Sequence, residues 1–225
     1  MLYAAIVGSV GSFLFSLHFT AQLTERQQSY CHYLSRKSVF IGGITSLLMI
    51  LSVPGNLGGD LLSLIDPLML QLAIESSSGI GYLTAATGFV VMLVAHKFMA
   101  KAQKCTLSIG SIAVLFSLTL AGHALLGKLL TQSLLILHLL GITFWLGALL
   151  PFRWICLQTD TTNLSAVAHR FGLVALVYVG LIIITGLAYA YILLGELSLI
   201  FTTSYGNVPV SYTHLRAHET VLDLV

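Results

Sequence analysis

Charge is what this sequence has least of. Only 8% of its 225 residues are charged and 57% are hydrophobic, whereas about a quarter of a soluble domain is charged. The apolar residues fall in long runs instead of amphipathic or alternating positions, so a water-surrounded core does not explain them. A formal net charge of +2, carried by scattered cations, excludes a basic face for nucleic acid. Cys31, Cys105 and Cys156 form no CxxC and read as structural bystanders. The sequence also lacks a GxxxxGK[ST] phosphate loop, a GxSxG elbow and an HExxH pair. Nucleotide-driven pumping and the hydrolases marked by those motifs are not expected, and the chain is not read as an enzyme.

What is present is apolar length. Runs near residues 2–19, 38–53, 79–96, 107–125, 131–150 and 171–195 predict an all-α, polytopic transmembrane bundle of about six helices, since crossing a hydrocarbon layer about 30 Å thick takes about 20 residues. The first run has no basic segment before Leu2 and no A-x-A-like cleavage site before Gln22, so it reads as a membrane helix and not a signal peptide. The second is short and must begin within Arg36 and Lys37 or thin the bilayer. A further stretch, 61–74, is interrupted by Asp66 and Pro67 and is too short to span; it reads as a short external interfacial or re-entrant helix. Gly8, Ser12 and Ser16, and Gly81, Ala85 and Gly88, recur at about one-turn spacing and predict close helix packing.

Lys and Arg are retained on the cytoplasmic side of short loops. Arg26, Arg36, Lys37, Lys97, Lys101, Lys104, Arg153 and Arg170 fall in alternate connections, against Lys128 alone in the other native loops. Asp60, Asp66, Glu75 and Glu196 fall on the cation-poor side. The expected topology is multi-pass with the N-terminus outside.

Histidines within spans are candidates for chemistry because intramembrane polar groups are costly. His123 lies near the outer end of the fourth span and His138 about two turns into the fifth. A short connection around 127–130 makes these helices antiparallel neighbours, with both imidazoles in the outer leaflet. His138, Gly141, Trp145 and Ala148 share one helix face. Imidazole suits copper, zinc or haem iron, and Met69 in the external segment is the candidate third ligand. A structural reading stands beside this one, in which each histidine bonds a hydroxyl or carbonyl of a neighbouring helix. His18, His96 and His169, near cytoplasmic helix ends, read as headgroup-facing or carbonyl-capping groups, and His32 carries no signal. Trp145 and Trp154 read as packing or inner-interface residues.

The stretch 122–206 resembles the copper resistance protein D (CopD) family. The resemblance rests on GHA at 122–124, HLLGITFWLGALLP at 138–151, AHRFGLVAL at 168–176, TGLAYAYILLG at 185–195 and TTSYG at 202–206. It implies a bacterial inner-membrane protein that moves or handles copper, working with a periplasmic copper-binding partner of the CopC type, and it makes His123 and His138 the leading ligands. It also implies about two further helices after TTSYG. Here the chain instead continues as NVPVSYTHLRAHETVLDLV, which is similar to a translated sequencing-adapter tail. The CopD-like domain is therefore read as 1–206, incomplete at its C-terminus, with a non-native polar tail over 207–225 that is adapter-like from about residue 208. The i, i+4 pair His214 and His218 is set aside on that ground. Two other classes stay open: a b-type haem electron-transfer protein with axial histidines, and an accessory or assembly protein whose histidines are structural.

Overall fold

The computed structural model describes residues 1–120, 128–158 and 163–194. The chain is all-α, and the described residues form six long helices and one short helix: α1 (Leu2–Phe19), α2 (Glu25–Gly58), α3 (Pro67–Glu75), α4 (Ser77–Ala95), α5 (Ala100–Ser117), α6 (Lys128–Cys156) and α7 (Leu164–Leu194). A 3-10 turn, Leu62–Leu64, precedes α3. Among the described residues, α1, α2, α4, α6 and α7 are long and apolar enough to cross a membrane. The 18-residue α5 is more polar because it opens on Lys101 and Lys104.

Helix boundaries differ from the apolar runs wherever charge flanks them. α2 begins thirteen residues before the expected start at 38, so Arg26, Arg36 and Lys37 lie on the helix and not in a loop. Its start is a capping box: the Thr24 hydroxyl accepts from the Gln27 N–H at 3.3 Å and the Gln27 side chain accepts from the Thr24 N–H at 3.0 Å, leaving two fewer orphan donors at the N-terminus. Its end is Gly59, whose left-handed φ of 79° lets its N–H close on the Gly55 carbonyl. At 34 residues and about 1.5 Å each, α2 is about 51 Å long and outruns the hydrocarbon layer. The charged turns project past it. Likewise Lys101 and Lys104 lie on α5, Arg153 on α6 and Arg170 on α7. An α-helix satisfies its own backbone in water as well as in lipid, so the end of an apolar run does not end the helix.

Asp66 and Pro67, which interrupt the 61–74 stretch, instead start α3. The Asp66 carboxylate accepts from the Leu68 and Met69 N–H groups at 2.8 and 3.3 Å, and Pro67 occupies the first turn, where no N–H is needed. Ser76 caps α4 by accepting from the Gly79 N–H at 3.0 Å.

The most buried helix is α1, packed between α2 and α6; α4 lies on α2, α5 on α4, and α7 on α6. These contacts are close because glycines face one another. A Cβ on Gly11 would strike the Thr143 carbonyl and Gly147, and one on Gly147 would strike the Val7 carbonyl. Gly88 and Gly110 do the same for α4 and α5, where a Cβ on Gly110 would fall 2.8 Å from the Gly88 carbonyl oxygen. With lipid as solvent, such van der Waals contact between backbones holds helices together. Outward faces stay apolar: Leu47, Leu48 and Leu51 on α2, and Leu176, Val177 and Ile184 on α7, are exposed. They are the surface that meets lipid.

Arg26, Lys97, Lys101, Lys104, Arg153 and Arg170 fall at one end of the bundle, and Arg36 and Lys37 lie further in on α2, beside Gly8 and Ser9 of α1. At that end α1 stops, α2 begins, α6 stops and α7 begins. Tyr30 of α2 stacks on Trp154 of α6 at 4.2 Å with the Arg26 guanidinium over the indole. Asn163, just before α7, donates to the Gln22 carbonyl at 2.6 Å and to Gln27 Oε1 at 2.7 Å. Asp60, Asp66 and Glu75 lie at the opposite end.

Candidate site at the helix 6 and helix 7 interface

His138 lies on α6 against α7, half-buried. Its Nδ1 is 3.0 Å from the Ile182 carbonyl oxygen and 3.3 Å from Thr185 Oγ1. A carbonyl only accepts, and the Thr185 hydroxyl donates to the Leu181 carbonyl at 2.6 Å. Nδ1 must therefore carry the proton. That leaves the ring's lone pair on Nε2. Room for the ring comes from Gly186, where an added Cβ would fall 3.0 Å from His138 Cε1. One turn along α6, a Cβ on Gly141 would fall 2.6 Å from Ile182 Cγ1. Thus the HLLG segment at 138–141 and the TG pair at 185–186 meet across one interface.

The helix face expected to carry His138, Gly141, Trp145 and Ala148 is split between two neighbours. Its outer part meets α7, whereas Ala148, fully buried, lies beside the Gly147 contact with α1. Helices α5 and α6 do touch, but the main partner of α5 is α4 and those of α6 are α1 and α7.

The other sequence candidates lie elsewhere. Met69 is on α3, which packs on α2 and α4, and its Cγ would be 3.8 Å from a Cβ on Gly58. His123 lies outside the described residues, as do TTSYG, Glu196, His214, His218 and the proposed boundary at 206. Among the described residues, no group of three or more His, Cys, Asp and Glu side chains converges as a metal centre would require.

A second polar pair was not singled out by sequence. His18 Nε2 of α1 is 2.9 Å from the Tyr178 hydroxyl of α7, and its ring meets Phe144 and Tyr178 edge-on at 5.7 and 5.6 Å. Phe144 and Tyr178 stack at 4.0 Å. Arg170 Nε donates to the His18 carbonyl at 2.9 Å, satisfying an orphan acceptor at the end of α1. The aromatic content of GITFWLG and FGLVALVYV was the available signal, but 160 residues separate His18 from Tyr178 and no local pattern joins them.

His169 is exposed, Cys31 is buried, and Cys105 and Cys156 are exposed and unpaired. No family model, curated protein or solved structure matches the chain.

Proposed function

We propose that this chain is a CopD-like copper-handling protein of the bacterial cytoplasmic membrane. The observation that carries the reading is the His138 hydrogen bond. An imidazole that ligates a metal through one nitrogen almost always donates its other N–H to a carbonyl or carboxylate, which fixes the tautomer and the ring orientation. His138 has that arrangement within an apolar bundle, with Nε2 as the acceptor nitrogen. Copper is the cargo, in keeping with the resemblance over 122–206. One imidazole does not make a metal centre, so the second ligand in this reading is His123, with Met69 as a third donor from the α3 segment.

Cations concentrated toward one end and Asp60, Asp66 and Glu75 at the other support a cytoplasmic assignment of the first and an external N-terminus. His138, two to three turns into α6 from its cation-poor end, then faces ions arriving from outside. A periplasmic CopC-type protein is the partner that would deliver them.

Copper accumulation tests this in cells expressing wild type, His123→Ala or His138→Ala. The reading expects both variants to lose the wild-type change in cell copper. Unchanged copper in both removes these histidines from the mechanism.

A further inference from the structure

At the cation-rich end, α2 and α4 run antiparallel and the Phe89 ring fills the space a Cβ on Gly42 would need. Seven residues onward from Phe89 is His96, just past the end of α4, and seven residues back from Gly42 is Ser35. Ser35 is buried and donates to the Ser9 carbonyl of α1. On either side of it are His32 and Arg36, an i, i+4 pair on one face. The register brings His96 level with Ser35, where its ring feels the charges of His32 and Arg36.

Three features mark this corner as unfinished. His96 Nε2 is buried and has no hydrogen-bond partner among the described residues, a costly state for an imidazole nitrogen. Burial, then the nearby His32 and Arg36 charges, holds its ring below the ordinary histidine value. Among the described residues, α4 and α5 carry no Asp or Glu, and α2 carries only Glu25 at its start. The neighbouring α5 adds to the imbalance, because it begins at Ala100 with no side-chain cap and carries Lys101 and Lys104 in its first turns, while Lys97 precedes it. Its first N–H groups are orphan donors with partial positive charge.

We propose that His96, Arg36 and His32 form a binding site for a phosphate oxyanion, supplied by the headgroup of an anionic phospholipid or by free phosphate. The guanidinium is the natural bidentate partner of such a group, and the unpartnered His96 Nε2 offers a further polar contact. His96 closes α4 and Arg36 is exposed, so an anionic group can meet them where α4 leaves the apolar region. The proposal does not depend on copper handling.

The test is thermal unfolding of the full chain in mixed micelles of a neutral detergent. Phosphatidylcholine, phosphatidylglycerol and inorganic phosphate are each titrated against wild type, Arg36→Gln, His96→Gln and Arg153→Gln. Arg36 is exposed, so its variant carries the test even if the His96 variant fails to fold. We expect saturable stabilisation of wild type, weakened about fivefold in apparent affinity by Arg36→Gln and unchanged by Arg153→Gln, a cation on another helix. Stabilisation by phosphatidylglycerol alone identifies the lipid as the source; an equal effect of inorganic phosphate in phosphatidylcholine identifies the free ion. No stabilisation by either probe, or equal weakening in Arg153→Gln, overturns the site.

Discussion

The Nδ1–H of His138 donates to the Ile182 carbonyl at 3.0 Å, joining α6 to α7 and setting Nε2 as the nitrogen with the free lone pair. Gly186 lies against the same ring. The imidazole is thus held in one tautomer by backbone on the neighbouring helix, and disturbing that backbone face should disturb any ligand bound at Nε2.

Gly186→Leu places a side chain where the His138 ring rests. Losing the orienting hydrogen bond of a ligating histidine typically costs 10–100-fold in metal affinity. We therefore expect copper binding by Gly186→Leu to weaken by about that factor in a chelator competition, with Thr185→Val weakening it far less because the Ile182 carbonyl still accepts. Wild-type affinity in Gly186→Leu would disconnect this interface from the metal.

Tyr178→Phe removes the hydroxyl that meets His18 Nε2 while keeping the stack on Phe144. Interhelical hydrogen bonds in membranes contribute about 0.6 kcal/mol on average and up to about 1.7. A loss of about 1 kcal/mol in denaturant-induced unfolding is expected, and a loss several times larger would mean that the ring stack had collapsed as well.

Gly147→Leu drives a side chain into the Val7 carbonyl of α1. Backbone is the obstacle, so the helices must separate, and overpacking of this kind costs at least about 1–3 kcal/mol. Unfolding at lower denaturant, or loss of folded protein from the membrane, is the expected result; unchanged stability would contradict the α1 to α6 contact.

Asp60 caps the turn before α3: its carboxylate accepts from the Ser63 hydroxyl at 2.7 Å and the Ser63 N–H at 2.8 Å. Those bonds hold its carboxyl below the ordinary aspartate value. A lowered folded-state value means the stabilisation is complete above the ordinary value of 3.8 and is lost as pH falls through the lowered one. Hydrogen exchange at the Ser63 amide should therefore speed up in acid beyond its intrinsic trend in wild type. In Asp60→Asn that extra acid response should be absent.

Hydropathy made the helices legible because lipid demands long apolar runs; it left their ends hidden because helices outlast the lipid. Thr24 to Gln27 carries a capping signature that sets the start of α2, yet Arg26 and Arg36 masked it as loop. Asp66 and Pro67 read as interruptions when they are the cap and first turn of α3. Gly81 and Gly88 were visible as packing residues, and both face α5. The environment of His138 was only half visible: the carbonyl and hydroxyl partners of a structural histidine were anticipated, but Ile182 and Thr185 lie 44 and 47 residues away. Periodicity within one helix does not reveal which face of another helix meets it. The cation segregation was legible by counting, whereas the placing of His96 level with Ser35 depends on the α2 to α4 register.

Metal content and visible absorption of the full chain, purified from copper-supplemented cells as wild type and His138→Ala, test the role of His138 most directly. Copper handling predicts a colourless wild-type protein that carries copper and a variant that carries far less. Equal copper in the two proteins, no metal in wild type, or a haem band in place of copper would contradict it.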